Sequence, residues 1–368
     1  MAKSEPWSCI AVIDEDNQDV DIRVVEKDET VLKNDMRYNV ASPREWMESI
    51  EAQEGSHGAY TVVRCDIKPF QDGSASQICN VWGEGFHLDR LSSSYRTMGS
   101  DHEMALASAL EQSKLLINSI INDAKQSLVS KSMESIDDEE EEVKVLMITL
   151  LWQPIKDSSE SILVRGHAFW SNAISIPSQY NPHPITATIA IPKGDSIDFP
   201  ARHNNMPLAK LSSWCRIRRP LEEKFKTKDV GEVLLARSSQ TLENEWELLE
   251  GLTSNLFVVY TDGSIRTPSG TVLNGYARHL VLEAAERNGL KVCDEPIHLE
   301  DAKNGLWVEA FVTSSIRLVI PVGKVMIPAN GEDCEGFKEI WSEAPLLNLP
   351  WDTRRWSLLY SDIIKQMS

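Results

Sequence analysis

The sequence predicts a two-domain chain mixing α/β and α+β organisation, with an N-terminal domain at residues 1–175, a linker at 176–184 and a C-terminal domain at 185–368. Three observations predict it. The first half alternates β-like with helical segments, as an α/β unit does. The stretch SIPSQYNPHP then places three prolines between Ile176 and Pro184, a break in either kind of periodicity. Beyond it, short apolar runs rich in β-branched residues are joined by turn residues before helical patterns return.

Taken in order, Asp21 to Val25 and Ala59 to Cys65 read as strands, and His87 to Met98 as a short helix. A longer helix spans about Asp101 to Val129, where Leu106, Leu110, Ile117 and Ile121 recur at helical spacing and form an apolar face for a sheet. The loop at 132–143 contains the acidic run Asp137 to Glu142, which repels itself and reads as solvated. Lys144 to Trp152 and Ser161 to Trp170 read as strands. After the linker come Ile185 to Ile191, Glu232 to Arg237 and Leu256 to Tyr260, the last turning through Thr261-Asp262-Gly263 into Ser264 to Thr267. NGYARHLVLEAAERNG reads as a helix started by Asn274 and Gly275, with Ala277, Leu280, Val281 and Ala284 on its apolar face and Gly289 as its stop. Lys291 to Glu295 and Leu306 to Thr313 read as strands, the second running into Ser314 and Ser315. Helical segments around Phe337 to Trp341 and Arg355 to Lys365 close the chain.

Composition bounds the function. The chain has 368 residues, 42% hydrophobic and 25% charged, as a soluble globular protein does. Its net charge of -19 argues against nucleic acid or an anionic membrane as the main partner. MAKSEPWSCIAVIDED has no basic region followed by an apolar core, and no stretch approaches a membrane-spanning length, so the expected location is cytoplasmic. Six cysteines (Cys9, Cys65, Cys79, Cys215, Cys293, Cys334) lack CxxC pairs or regular spacing and read as free thiols, with no metal site expected. Glycine-rich phosphate loops and the HExxH metal helix do not occur.

Four local features carry chemistry. In HLDRLSSSY, His87, Arg90 and Ser94 share one helix face; the arginine can snorkel, pair with an acid, or clamp an anion through its planar guanidinium. In MPLAKLSSWCRIRRPLE, Lys210 lies among Leu208, Ala209, Leu211 and Trp214. It is either a lysine at a strand edge or an amine whose desolvation makes it a usable nucleophile. EGLTSNLF sets Glu250 and Gly251 ahead of the apolar run from Leu256, as a turn with a capping carboxylate or as a site. GYAR (Gly275 to Arg278) opens a helix whose free N–H groups favour a phosphate, and TSSIR (Thr313 to Arg317) offers two hydroxyls in a turn.

In this order the segments resemble the class IV aminotransferase family, the pyridoxal phosphate enzymes of fold type IV that include branched-chain and D-amino-acid aminotransferases and aminodeoxychorismate lyase. The likeness is dense across EGLTSNLFVVYTDGSIRTP, VLNGYARHLVLEAAERNGLKV and EAFVTSSIRLVIPV, and sparser at GAYTVVR, HLDRL and the Lys210 segment. The resemblance implies a smaller N-terminal α/β domain and a larger C-terminal domain with a β-barrel-like core, pyridoxal 5'-phosphate between them, and a homodimer. It implies that Lys210 forms the aldimine with the cofactor and shuttles the substrate proton, that Glu250 faces the pyridine nitrogen, and that Arg90 binds the phosphate. The backbone amides of Tyr276 and Ala277, with Ser314 and Ser315, would complete the phosphate cup. Tyr60 and Thr61 would line the substrate pocket.

The implied reaction is transfer of an amino group between an amino acid and a 2-oxo acid, the small-molecule partners expected of the chain. Alternatives are a lyase of the aminodeoxychorismate type and a non-catalytic binding protein built on the fold. Four departures from the pattern bear on the substrate. Cys215 stands where branched-chain enzymes have tyrosine, Thr61 where many members have glutamate, and Ala277 where threonine is common. VKVLMITLLW lacks the arginine that D-amino-acid enzymes use for the substrate carboxylate.

Overall fold

The computed structural model describes residues 8–13, 20–24, 42–67, 79–99, 102–132, 144–155, 158–171, 183–190, 208–239, 245–326, 346–348 and 355–367. The acidic run, most of the linker expected at 176–184, and the helical segment expected at Phe337 to Trp341 lie outside the described residues. The chain divides into two compact units, Met1–Ser178 with Ala209–Arg216, and Gln179–Leu208 with Ile217–Ser368.

The first unit is built on a six-stranded antiparallel sheet. Its strands are β1 (Ser8–Ile13), β2 (Val20–Val24), β3 (Ala59–Ile67), β4 (Cys79–Val81), β5 (Lys144–Ile155) and β6 (Ser158–Ser171), in the order β2-β1-β6-β5-β3-β4. Three helices belong to it: α1 (Pro43–Glu54), α2 (Glu84–Arg96) and α3 (Glu103–Ser132). The apolar face expected of α3 is buried through Leu106, Ile117 and Ile121, and it packs on the sheet. Gly166 on β6 makes room for that face, because a Cβ there would overlap the Leu116 side chain and press on Ile120. Trp152 on β5 adds a directed link by donating its indole N–H to Ser113 Oγ of α3 at 2.9 Å.

Helix α1 does not stand out in the apolar periodicity of the sequence. Its start is nevertheless written in SPRE. Ser42 caps it by accepting from Glu45 N at 3.3 Å, Pro43 pre-sets the first turn, and Gly55 ends it at φ 66°. Trp46, Met47 and Ile50 then pack with Tyr60, Leu151 and Cys215 in a buried cluster.

The second unit carries a ten-stranded sheet. Six of its strands are β7 (Ile185–Ala190), β8 (Val230–Ser238), β9 (Trp246–Gly251), β10 (Asn255–Tyr260), β14 (Trp307–Ser314) and β15 (Leu318–Met326). They pair as β10-β14-β15-β7-β8-β9, and β9 returns to β10 through Glu250 opposite Asn255, so the six close into a ring. The expected β-barrel-like core is this ring. Alternate residues fill it: Leu256, Val258, Leu234, Ala236, Val312 and Val322 belong to one buried cluster. Burying each of the larger aliphatic side chains stabilises the unit by roughly 1.5–3 kcal/mol. On the opposite face of the β10–β14 pair, Phe257 and Phe311 stack at 5.0 Å.

Short strands β11 (Ile265–Arg266), β12 (Val292–Cys293), β13 (Ile297–His298) and β16 (Leu346–Asn348) flank the ring. Two of them are shorter than the runs Ser264 to Thr267 and Lys291 to Glu295 read from the sequence. The helices are α5 (Tyr276–Arg287), α6 (Leu299–Lys303) and α7 (Arg355–Met367). Helix α7 is tied down by Arg287 against Asp362 at 2.8 Å and by Trp356 N donating to Glu309 of β14 at 2.7 Å. One further helix, α4 (Ser213–Phe225), follows the Lys210 segment. Among the described residues no helix is long and apolar enough to cross a membrane, and no group of three or more ligating side chains could hold a metal ion.

Candidate functional site

In the first unit, strand β3 and helix α2 bring Tyr60, Thr61, His87 and Arg90 together. Arg90 is 9% exposed and donates to Thr61 Oγ1 at 2.8 Å. Thr61 Oγ1 also meets His87 Nδ1 at 2.9 Å. A guanidinium only donates, and Arg90 also reaches His87 Nδ1 at 3.1 Å, so Nδ1 accepts and is the proton-free nitrogen of a neutral ring, to which the Thr61 hydroxyl can send its own hydrogen. Burial pushes the His87 pKa well below the usual histidine range, and the Arg90 and Lys210 cations act in the same direction. A neutral imidazole and a hydroxyl thus hold a buried cation in one orientation without cancelling its charge.

Lys210 lies in the segment that the contacts group with this unit, although the boundary drawn from the sequence places it in the C-terminal domain. Its backbone is pinned at three points. Lys210 N donates to Ser94 Oγ of α2 at 3.0 Å, Lys210 O accepts from Tyr60 N at 2.8 Å, and the next residue, Leu211, bridges Ala59. Ser212 N donates to Gly58 O at 2.8 Å, and Gly58 N donates to Ser212 Oγ at 3.0 Å. A Cβ at Gly58 would overlap the Trp152 carbonyl, so glycine lets the chain entering β3 lie close against β5. The lysine therefore extends β3 as an irregular edge, and its ammonium stands 4.7 Å from the centre of the Tyr60 ring. Cys215 is buried with its sulfur 4.0 Å from Tyr60 Oη, and its carbonyl accepts from Arg44 at 3.3 Å.

In the second unit, Glu250 is the penultimate residue of β9, beside its hairpin turn, and is 4% exposed. Its Oε2 accepts from Leu273 N at 3.1 Å and from Asn255 Nδ2 at 3.4 Å, and Asn255 Nδ2 also donates to Leu273 O at 2.7 Å. Asn255, opposite Glu250 in the ladder, thus ties the carboxylate to the segment leading into α5. Gly275 is the N-cap of α5 and makes no side-chain cap, and Tyr276 and Ala277 are the first two residues of the helix. Ala277 and Arg278 are buried on the helix, with Arg278 donating to Pro268 O at 3.0 Å. Ser314 ends β14, and Ser315 opens the turn to β15, both half-buried. Ser314 Oγ accepts from Arg317 N at 3.3 Å.

Glu232, on β8, was not singled out in the sequence as a site residue, yet it organises this region. It is 1% exposed and accepts from Thr253 Oγ1 at 2.9 Å, Ser254 Oγ at 2.8 Å, Arg317 at 3.2 Å and Val233 N at 3.1 Å. One carboxylate therefore joins the turn after Glu250 to the turn after Ser314. Gly251 fits against it, since a Cβ there would come within 2.9 Å of Glu232 Cδ and Cγ. A glutamate in the otherwise apolar run GEVLL was the available signal.

Residues 198–325 match the family model described as amino-transferase class IV, and that span contains Lys210, Glu232, Glu250, the start of α5 and Ser314 with Ser315. The family resemblance read from the sequence is borne out there. A protein of Methanocaldococcus jannaschii with a provisional branched-chain-amino-acid aminotransferase name is 29% identical over 86 residues. That match takes in 23% of this chain and 29% of the relative's length.

A fold IV-transaminase from Curtobacterium pusillum superposes with a TM-score of 0.57 at 12% identity, covering 98% of each chain. A hypothetical aminotransferase from Mycobacterium tuberculosis, in its PLP-bound form, gives a TM-score of 0.56 at 15% identity over 97% of this chain and 99% of that one. The same Mycobacterium tuberculosis protein is also known bound to alpha-ketoglutarate and PMP, again with a TM-score of 0.56 at 15% identity and the same coverage. At these identities the likeness shows the fold, which is that of the fold-type IV transaminases.

Proposed function

We propose that this chain, whose residues 198–325 match the amino-transferase class IV model, is a pyridoxal phosphate-dependent enzyme that moves an amino group between an amino acid and a 2-oxo acid. The observation that carries the reading is Glu250. It is a buried carboxylate held by a backbone N–H and an amide beside a helix start that lacks a side-chain cap. A carboxylate in that setting suits a protonated pyridine nitrogen, and the capless N–H groups suit a phosphate.

Bound pyridoxal phosphate would supply the electron sink for negative charge developing on the substrate α-carbon. Lys210 is the amine that would hold the cofactor's aldehyde carbon and carry the α-proton on its Nζ. Arg90, oriented by Thr61 and neutral His87, would bind phosphate, with the Tyr276 and Ala277 amides and the Ser314 and Ser315 hydroxyls as further donors. Tyr60 would line the substrate pocket. Thr61 would act there through Arg90, since its hydroxyl is already engaged. The Mycobacterium tuberculosis protein bound to PLP, and to alpha-ketoglutarate with PMP, supports the cofactor and the 2-oxo acid class. We place the enzyme in the cytoplasm as a homodimer, in keeping with its net charge of -19 and the family resemblance.

The test is to incubate the purified protein with pyridoxal phosphate, record visible absorbance of retained cofactor, and offer a panel of D- and L-amino acids with and without a 2-oxo acid acceptor. Retained absorbance, its loss in Lys210→Ala, and acceptor-dependent product are expected. Unchanged absorbance and turnover in Lys210→Ala would overturn the reading.

A further inference from the structure

The described cysteines are not equivalent. Cys9 and Cys215 are buried separately, Cys293 is half-exposed in the second unit, and Cys65 and Cys79 face each other in the first. Strand β4 pairs antiparallel with β3 so that Cys65 is opposite Val81 and Ile67 opposite Cys79. Alternation puts both thiols on one face of the ladder, diagonal neighbours across the strands, with Asp66 and Asn80 on the other face. The sulfurs are in contact at 2.7 Å. Cys65 is fully buried, while Cys79 is half-exposed.

We propose that Cys65 and Cys79 form a reversible thiol–disulfide site that is closed by a hydroperoxide and reopened by thiols, stapling β4 to β3. The asymmetry of the pair sets the order of events. The hydrogen bond between the two thiols lowers the Cys79 pKa and raises that of Cys65. Lys125 of α3 adds a favourable positive charge near Cys79, while burial and Asp66 oppose it. Cys79, the half-exposed member of the pair, is thus the thiol that a peroxide reaches, and the fully buried Cys65 is the resolving thiol.

In the first step Cys79 sulfur attacks a peroxide oxygen, the O–O bond breaks, and the departing oxygen takes a proton to leave as water or an alcohol. The product is a Cys79 sulfenic acid. Cys65 sulfur then attacks Cys79 sulfur, the S–O bond breaks, and water leaves with the Cys65 proton. The two thiols lose two electrons in total and the peroxide gains them. The new bond would also fix the approach to α2, which follows β4 directly and carries His87 and Arg90.

The test uses the full chain and hydrogen peroxide. After brief exposure, remaining thiols are blocked with iodoacetamide, the protein is digested without reductant, and the peptides are mapped by mass spectrometry. A Cys65–Cys79 cross-linked peptide that dithiothreitol abolishes is expected, with the Cys79 thiol consumed about tenfold or more faster than that of Cys293. In Cys65→Ser, Cys79 should stop at sulfenic acid and be trapped by dimedone. Because that buried variant can fail to fold, mapping of the wild type decides alone. Cys79 consumed no faster than Cys293, or oxidised to sulfinic acid while Cys65 stays open to alkylation, would overturn the proposal.

Discussion

Glu232→Ala should destabilise the second unit by an amount that can be worked from its four donors. Arg317 is 32% exposed and Thr253 is exposed, so water replaces the lost acceptor for both at little cost. Val233 N–H and Ser254 Oγ–H sit at residues that are 0% and 6% exposed, and would be left without their carboxylate. Stranding a buried donor costs about 1–3 kcal/mol, so the pair predicts a loss of about 2–6 kcal/mol. Glu232→Gln should cost only about 1–2 kcal/mol, because both hydroxyls can rotate to accept from the new amide and only Arg317 meets a donor. Urea unfolding of the two variants, with the exposed Thr253→Ala as control within about 0.5 kcal/mol, measures this. A Glu232→Ala loss under about 1 kcal/mol, or an equal loss in the control, would refute the view that this buried carboxylate joins the two turns.

Other expected outcomes follow from the same geometry. Glu250→Gln keeps an oxygen for Leu273 N and Asn255 but removes the charge, so folding should be spared while turnover falls roughly 100-fold; steady-state kinetics at wild-type rate would count against its role. Gly275→Ala is compatible with φ −75°, yet its Cβ overlaps Asn255 Oδ1, so a loss of about 1–3 kcal/mol with weakened cofactor binding is expected in thermal unfolding and titration. His87 has a depressed pKa in the folded chain, so the unfolded chain binds the extra proton below about pH 6.5. Stability should therefore be complete above that pH and fall as the pH drops through it, by at most about 1.4 kcal/mol per unit. Urea unfolding at pH 7.5 and 5.5 should show a smaller difference in His87→Gln.

Elements whose apolar residues recur at a simple period could be read from the chain. Helix α3 is legible in Leu106, Ile117 and Ile121, and β10 in its unbroken apolar run. Helix α5 is legible because its glycine start and the αL Gly289 beyond its end are local signals. Helix α4 was hidden by Pro220 and by the basic run of RIRR, which break the pattern of an interior helix. Strand β15 was hidden because TSSIR reads as a turn and the apolar run after it has no period of its own.

The sequence by itself determined those strands and helices whose apolar period or end signals are local, and the ordered motifs that resemble the class IV aminotransferase family, because backbone propensity, turn chemistry and motif order are local properties. Only the tertiary structure decided that β9 meets β10 at Glu250 and Asn255, that Thr61 serves Arg90 and His87, that Glu232 gathers two turns, and that Cys65 meets Cys79. Those relations join atoms distant along the chain, and the pairing register and burial that create them come from the whole packed unit.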